Sequence, residues 1–357
     1  MTSSTEPADP ESVVRFFFED PDDTLAGVRL HQEIARPRTG PELVRFVGSK
    51  GWLLYFPRPD VGRMEYQFEL IHRDGGTELV LDPGNPLTAP GPFGDKSVVE
   101  FPEYKAPSWW DPAAPVGGAV QELELPARGL GARMRARLWT SAGATAEDVL
   151  PLLVAHDGAD YAAYSSLLQF LDHFTSAGRL PPLRAALLQP LHRDQDYSAS
   201  AAYARALVHD VIPALAQAAP LAHGRRMRVG MGASLGGLAM LHAHRTSPAA
   251  FGGLFLQSGS YFRQRTDAQE SGFARFRRVS RFTGRVLTAR EWAHPIRATI
   301  SCGTVEENLA NNVSVRDALV DQGYDVRFEE NRDAHNWIAW RDTFDPHLLD
   351  LLTELWG

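Results

Sequence analysis

The chain has 357 residues, of which 44% are hydrophobic and 22% charged, and its formal net charge at pH 7 is −8. This composition excludes a disordered protein, and the length allows two globular domains. The acidic balance gives no overall attraction to nucleic acid or to an anionic membrane, and no apolar run approaches the ~18 residues of a membrane-spanning helix.

The start of the chain and its cysteine usage bear on the compartment. Residues 1–12 carry three acidic residues and no basic one, which is the wrong flank for a secretory signal, so we expect a cytoplasmic protein. Cys302 is the only cysteine, which excludes an internal disulfide and a cysteine-based zinc site. We expect it in a buried strand, and we expect neither a metal nor a cofactor.

Short β-rich runs alternate with turn signals in the amino-terminal part of the chain. They lie at residues 13–18, 52–56 and 66–70. This spacing predicts an antiparallel β-sandwich. Pro- and Gly-rich residues 82–94 predict a long ordered loop.

A Pro-rich stretch at residues 102–118, with Trp109 and Trp110, has the character of a linker. We therefore expect residues 1–115 to form an amino-terminal sandwich domain with its linker, and residues 116–357 to form a second domain.

Strand and helix patterns alternate in the second domain. The strand candidates are residues 134–139, 152–155, 185–189, 229–231, 253–257, 298–302 and 326–329. Helical patterns at residues 199–216, 235–246 and 313–322 lie between some of them. This alternation predicts an α/β fold with a mostly parallel sheet, and an α/β-hydrolase sheet fits it.

The most informative motif is Gly-x-Ser-x-Gly at residues 232–236, between a predicted buried strand and a predicted helix. A serine at such a sharp strand-to-helix turn projects its hydroxyl, and the glycines keep the turn free of side chains. The helix that starts at Leu235 directs its free N–H groups at the reaction centre. We predict that Ser234 is a nucleophile; the alternative is a structural Gly/Ser turn.

A serine nucleophile needs a histidine to take its proton and an acid to orient that histidine, in the chain order Ser, acid, His for this fold. His335 lies in a polar loop after the last predicted strand and is the best base. His242 and His244 belong to the helix of the motif, and His347 lies in the final helical region, so they suit the role less.

The acid is expected in the loop after the preceding strand, where Glu306 and Glu307 are adjacent. Neighbouring side chains point in different directions, so one of the two would reach His335, and spacing alone does not choose. We assign Glu306. Asp333 is a third candidate, whose alternative role is a loop-ordering Asx turn.

The developing oxyanion needs two backbone N–H donors, one of which is normally the residue after the nucleophile. That residue is Leu235. Gly158 or Ala159, which follow an early predicted strand, would supply the second donor. A simple Asp-Gly turn is the alternative for this segment.

Three side chains are candidate substrate contacts. Arg193 follows a predicted strand and would bind a carboxylate, phenolate or carbonyl oxygen, and its alternative is a surface salt bridge with Asp196. Trp337 would wall an aromatic pocket together with Trp340, unless both pack under the last helix. Asp157, in the Asp-Gly turn, is the third candidate.

These motifs resemble those of the enterochelin esterases and the wider esterase family with an α/β-hydrolase fold. The resemblance rests on residues 155–158, 232–237, 302–306, 335–337 and 340–341, and in the amino-terminal part on Trp52 and residues 66–70 and 82–86. It covers nearly the whole chain. It implies that the amino-terminal sandwich is an immunoglobulin-like domain.

The resemblance implies a serine esterase that works through an acyl-enzyme, with Ser234 as nucleophile, His335 as base and Glu306 as acid. It further implies an iron-siderophore substrate, a catecholate trilactone such as ferric enterobactin, hydrolysed in the cytoplasm to release iron. Two features depart from the family: Asp333 and Ala334 stand where a pair of glycines is usual, and the chain is acidic although the ferric substrate is anionic.

Two alternatives remain open. A general carboxylesterase or acyltransferase of the same fold would use the same motifs, although the related mycolyltransferases work outside the cell. A protein of another class would use the sandwich to bind a glycan or a partner and keep the second domain as an inactive scaffold. The order Ser234, Glu306, His335 favours an enzyme with a small-molecule ester substrate.

Overall fold

The structure is a computed structural model that describes residues 12–34, 39–46 and 50–357. Residues 1–11 of the acidic start lie outside the described residues. The contacts divide the chain into two compact units: residues 1–105, 304–306 and 332–335 form the first, and the remaining residues form the second. This division falls ahead of residue 115, and the domain assignment made from the sequence stays a prediction.

The first unit contains two antiparallel sheets. Its strands are β1 (Val13–Glu19), β2 (Leu25–Gln32), β3 (Thr39–Glu42), β4 (Val44–Phe46), β5 (Gly51–Pro57), β6 (Arg63–His72), β7 (Thr77–Val80), β8 (Thr88–Ala89) and β9 (Lys96–Glu100). One sheet has the order β1-β5-β4, and the other has the order β3-β2-β6-β9-β8, with β7 also paired to β6.

Aromatic side chains fill the core of the first unit. Alternate residues of β6 are buried, as a strand with one face on a core requires. The ring of Phe16 in β1 meets Tyr66 and Phe68 of β6 edge to face, with centroids 4.7 and 6.4 Å away. Side chains of β1 and β6 thus share one core.

The second unit contains an eight-stranded sheet. Its strands are β10 (Ala119–Ala127), β11 (Ala132–Thr140), β12 (Leu152–Ala155), β13 (Arg184–Leu188), β14 (Arg228–Ala233), β15 (Gly253–Gln257), β16 (Arg297–Gly303) and β17 (Asp325–Asn331), in the order β10-β11-β13-β12-β14-β15-β16-β17. The pairs β10–β11 and β11–β13 are antiparallel, and the strands from β13 to β17 are parallel.

Helices accompany this sheet. They are α1 (Gly158–Tyr164), α2 (Leu167–Ser176), α3 (Arg193–Tyr197), α4 (Ala201–Ala206), α5 (Ile212–Ala218), α6 (Leu235–Thr246), α7 (Phe276–Thr288), α8 (Leu309–Asp321), α9 (Trp337–Asp342) and α10 (Leu349–Trp356). Among the described residues, no helix combines the length and the apolar character needed to span a bilayer.

The central strands of the sheet are buried on both faces. Leu152 and Val154 of β12 belong to one hydrophobic core, and Leu153 and Ala155 belong to another. Successive strand residues point to opposite faces, so each face has its own core, which explains why the parallel strands are nearly continuous apolar runs. The α/β architecture with a mostly parallel sheet that the sequence predicts is confirmed.

Candidate active site

Ser234 is the single residue that connects β14 to α6. Its backbone has φ 55° and ψ −124°, a conformation that L-residues with a side chain seldom adopt. The Ser234 N–H donates to the carbonyl oxygen of Gln257 at 2.9 Å, and its own carbonyl accepts from the N–H of Leu238 at 3.2 Å. These bonds hold a strained turn of the kind that presents a nucleophilic hydroxyl.

Position 232, near the end of β14, must be a glycine because the backbone of Gly236 lies close to it. A Cβ added to Gly232 would lie 2.6 Å from the carbonyl carbon and oxygen of Gly236. Real Cβ atoms do not come this close to a backbone, so a side chain at position 232 would force β14 and α6 apart. The spacing of the motif therefore follows from the packing of a strand against the first turn of the next helix.

Ser260 is a neighbour of Ser234, the candidate nucleophile, and the sequence analysis did not identify it. Its hydroxyl lies 3.0 Å from the hydroxyl of Ser234, and its N–H donates to the Ser234 carbonyl at 3.1 Å. Ser260 follows β15, the strand next to β14. A polar residue just after a predicted parallel strand is the signal that would have identified it.

The candidate oxyanion donors begin two helices at the same edge of the sheet. Gly158 and Ala159 open α1 after β12, Leu235 opens α6 after β14, and these two strands are adjacent and parallel. The first N–H groups of a helix have no acceptor within that helix. A Cβ at Gly236 would lie 3.4 Å from the Asp157 carboxylate, so the two turns are in contact.

The turn before α1 also requires a glycine. Asp157 has a left-handed φ of 49°, and the chain then packs so tightly that a Cβ at Gly158 would lie 2.3 Å from the Cα of Leu187 in β13. The Asp-Gly pair therefore fixes where α1 begins and where its first N–H groups point.

Two of the candidate substrate contacts bind each other. The Arg193 guanidinium donates from Nε to both carboxylate oxygens of Asp157, at 3.1 and 2.9 Å, and from Nη2 to Oδ2 at 2.8 Å. Burial is the largest influence on the pKa of Arg193 and lowers it, but Asp157 together with Tyr197 and Asp194 raises that pKa overall. The partner is thus Asp157 and not Asp196, whose carboxylate accepts from the N–H groups of Leu191 and His192.

His156 supports the Ser234 turn from inside the protein, and the sequence analysis did not identify this role. It is fully buried, its ring stacks on Tyr197 with centroids 4.5 Å apart, and burial lowers its pKa to about 4. Its Nδ1 lies 3.0 Å from the carbonyl oxygen of Gly236. Since a carbonyl only accepts, Nδ1 carries the proton and donates to the first turn of α6.

His335 and Glu306 are hydrogen-bonded in the first unit. His335 Nδ1 lies 2.6 Å from Glu306 Oε2, the Glu306 side chain is 2% exposed and that of His335 is 29% exposed. A proton on Nδ1 that is held by a carboxylate leaves Nε2 as the basic nitrogen. The adjacent Glu307 is exposed.

Asp333 and its neighbours anchor the histidine loop within the first unit. The Asp333 Oδ1 accepts the N–H of Ala334 at 2.7 Å, and Oδ2 lies 3.7 Å from the guanidinium of the buried Arg63. Burial opposes the charge of Arg63, but the carboxylates of Glu65 and Asp333 raise its pKa. The Gly62 N–H also donates to the carbonyl oxygen of Arg332 at 2.8 Å.

The two tryptophans after the histidine have different surroundings. Trp337, the first residue of α9, is half-buried and meets Tyr161 edge to face with centroids 5.2 Å apart. Trp340 is 6% exposed and donates its indole N–H to the Ser258 hydroxyl at 2.9 Å. Trp340 is therefore a core residue, whereas Trp337 has part of its surface open.

Within residues 12–34, 39–46 and 50–357, no three His, Cys, Asp or Glu side chains are grouped as metal ligands would be. Cys302 is buried in β16, as the sequence predicts.

Comparison with known proteins finds enterobactin esterases among the relatives of this chain. No family model matches the chain. An iron(III) enterobactin esterase of Escherichia coli O6:H1 is 25% identical over 359 residues, which cover 93% of this chain and 86% of the relative.

Two solved structures match at 20% identity with a TM-score of 0.76. One is the enterobactin esterase of Shigella flexneri in the presence of enterobactin, matched over 96% of this chain and 92% of that one. The other is the ferric enterobactin esterase of Salmonella typhimurium, matched over 98% and 95%. The resemblance predicted from the sequence is thus confirmed: the chain is similar to the iron(III) enterobactin esterases along nearly its whole length and has an α/β-hydrolase-like fold.

Proposed function

We propose that this protein is a serine esterase that hydrolyses the ester bonds of a catecholate siderophore trilactone such as ferric enterobactin, and so releases iron. The strained conformation of Ser234 carries the chemical part of the proposal, because it is the conformation that a nucleophile at this turn requires. The names of the relatives, and the enterobactin in one of the solved structures, support the substrate class.

In the proposed reaction the Ser234 hydroxyl attacks the ester carbonyl carbon while His335 Nε2 takes its proton, and Glu306 stabilises the imidazolium. The N–H groups of Leu235 and of Gly158 or Ala159 bind the resulting oxyanion. The tetrahedral intermediate then breaks its bond to the alkoxide, which takes the proton from His335. An acyl-enzyme on Ser234 remains.

Water completes the cycle. His335 takes a proton from the attacking water, the acyl-carbon to Ser234 bond breaks, and the proton passes from His335 to the serine oxygen. The acid product leaves and the free hydroxyl is restored. No cofactor enters either half of this reaction.

The substrate contacts follow from chemistry and exposure. Arg193 offers fixed guanidinium donors to phenolate or carbonyl oxygens, and Asp157 orients it. The open part of Trp337 offers an aromatic surface to a catechol ring. Iron is cargo in this proposal, and the catecholates bind it rather than the protein.

The domain organisation and compartment belong to the same proposal. The two antiparallel sheets of the first unit support an immunoglobulin-like amino-terminal domain within residues 1–115, followed by the hydrolase domain in residues 116–357. Hydrolysis in the cytoplasm is part of this proposal.

The test of the chemistry is labelling with a fluorophosphonate probe. We expect the folded wild type and Ser260→Ala to be labelled and Ser234→Ala to remain unlabelled, with turnover of Ser234→Ala reduced on the order of a millionfold. Labelling that survives in Ser234→Ala, or an unlabelled wild type, contradicts the serine mechanism and favours the inactive scaffold.

The test of the substrate compares ferric and iron-free catecholate trilactones with simple aryl esters by product analysis. We expect the trilactones to be opened to monomeric or linear products. Cleavage of the aryl esters alone would favour the general carboxylesterase.

A further inference from the structure

An arginine-rich segment follows β15 in the second unit. Residues 261–290 contain eight arginines and two acidic residues, a formal excess of six positive charges in a chain whose net charge is −8. The arginines are Arg263, Arg265, Arg275, Arg277, Arg278, Arg281, Arg285 and Arg290. One of the two acids, Asp267, is buried and accepts from the Asn311 side chain.

Helix α7 displays three of these charges in a row. Its apolar residues, including Phe276, Val279, Phe282 and Val286, are buried, and Arg277, Arg281 and Arg285 are exposed at spacings of four residues. We call these three residues the arginine stripe. Adjacent members are about 6 Å apart along the helix axis.

The arginine stripe is not neutralised by its own protein. In the part of the chain that the structure describes, Arg277, Arg281 and Arg285 form no ion pair. Like charges at i and i+4 destabilise a helix, so the stripe does not serve the stability of α7. Three unpaired guanidinium groups on one face fit an anionic ligand.

The start of α7 is connected to Ser234 through Ser260 and Phe262. Ser260, whose hydroxyl lies 3.0 Å from that of Ser234, is followed two residues later by Phe262, and the Phe262 ring stacks on that of Phe276 with centroids 6.1 Å apart. Arg278 donates to the carbonyl oxygens of Gln195 and Ser198, at the end of the short helix that begins with Arg193.

Resting on the proposed function, we propose that the arginine stripe attracts the iron-loaded siderophore to Ser234 and thereby makes the esterase favour the ferric over the iron-free trilactone. In the ferric complex the deprotonated catecholates carry more negative charge than Fe(III) neutralises. Free catechols keep their protons near neutral pH, so the iron-free trilactone is uncharged. A local positive field raises the encounter rate of the anion and leaves that of the neutral compound unchanged.

The experiment compares three proteins on two substrates. Values of kcat/KM for the ferric and the iron-free trilactone are measured at low and high salt with the wild type, with Arg277→Glu/Arg281→Glu, and with Arg179→Glu/Arg225→Glu. The last is a matched control for net charge. Arg179 and Arg225 are exposed and precede β13 and β14, so they lie at the edge of the sheet opposite Ser234.

We expect the stripe variant to lose at least about tenfold in kcat/KM for the ferric trilactone at low salt and less than about twofold for the iron-free one. The preference of the wild type for the ferric trilactone should shrink as salt screens the field, and the control should behave as the wild type.

The inference is overturned if the ferric kcat/KM of the stripe variant stays within about twofold of the wild type at low salt, a range far below the effect of electrostatic steering. An equal loss on the iron-free trilactone, or an equal loss in the control, overturns it too. All three outcomes leave hydrolysis by the wild type intact. A wild type that hydrolyses neither trilactone instead refutes the proposed function, and the inference falls with it.

Discussion

His335 and Glu306 are 29 positions apart in the chain, and a hydrogen bond of 2.6 Å joins Nδ1 of the imidazole to Oε2 of the carboxylate. The loops that carry them follow the adjacent parallel strands β17 and β16. Both loop segments belong to the first unit, where Val305 packs against the aromatic core and Asp333 contacts Arg63. The buried carboxylate then fixes both the orientation and the tautomer of the imidazole.

Glu306→Gln should remove the charge that stabilises the imidazolium in the proposed mechanism and lower kcat by about ten-thousandfold, as in serine hydrolases that lose the acid. The matched control is Glu307→Gln, whose side chain is exposed and which should keep kcat within a few-fold. Steady-state hydrolysis of an aryl ester measures both. A larger loss in Glu307→Gln than in Glu306→Gln would exchange the roles of the two carboxylates.

Arg63→Met should strongly destabilise the first unit. The guanidinium is 3% exposed and lies between Glu65 and Asp333, so its removal takes the central cation out of a largely buried cluster in which Glu65 keeps Lys96 at 3.6 Å, a loss of about 3–5 kcal/mol. Arg29→Met breaks a pair with the exposed Glu42 and a longer contact of 3.8 Å with Glu69, and should cost less than about 1 kcal/mol. Urea unfolding measures both free energies, and equal values for the two variants would refute the role of Arg63.

Gly232→Ala and Gly284→Ala should change stability in opposite directions. A Cβ at position 232 meets the backbone of Gly236 at 2.6 Å, so Gly232→Ala should abolish activity and lower the yield of folded protein. A Cβ at position 284 of α7 meets no heavy atom within 4 Å, so Gly284→Ala should stabilise the protein by about 0.5–1 kcal/mol through its higher helix propensity. Thermal unfolding and ester hydrolysis test the pair.

The protein should lose stability as the pH falls from about 6.5 to about 4. Burial lowers the pKa of His156, His242 and His244 to about 4, from a usual value of 6.5. Below pH 6.5 the unfolded chain binds protons at these positions and the folded chain does not, so each histidine lowers the free energy of unfolding by up to about 1.4 kcal/mol per pH unit.

His242→Leu should make the free energy of unfolding fall less steeply with decreasing pH, because it removes the contribution of one histidine. His223→Gln, a change at an exposed position, should leave the pH dependence unaltered. The measurement is the free energy of urea unfolding across this pH range. A decline that is equally steep in His242→Leu would show that other groups cause it.

The sequence predicted those helices and strands whose bounds are determined by short stretches of chain. The predicted helix at residues 235–246 coincides with α6, and the predicted strands at residues 152–155 and 253–257 coincide with β12 and β15. These elements have strong local signals, because their strands are continuous apolar runs and the helix begins at a Gly-x-Ser-x-Gly turn.

Elements and contacts with weaker local signals were missed. β10 is an edge strand whose first four residues are all exposed, so it lacks a continuous buried apolar run. The arginines of α7 outweigh the apolar positions of that helix, although these recur at helical spacing. The pairing of Arg193 with Asp157 and the hydrogen bond from His156 to Gly236 join residues 36 and 80 positions apart. Such contacts depend on the packing of whole strands and leave no trace in a local pattern.

The segments at residues 304–306 and 332–335 form one compact unit with residues 1–105. Val305 packs into the aromatic core of that unit, and the backbone of Arg332 and the carboxylate of Asp333 bind Gly62 and Arg63. Removal of the first 105 residues would keep the serine turn and take away the scaffold of the proposed base, His335, and the proposed acid, Glu306. A chain without the amino-terminal sheets would therefore not hold these two proposed residues in place.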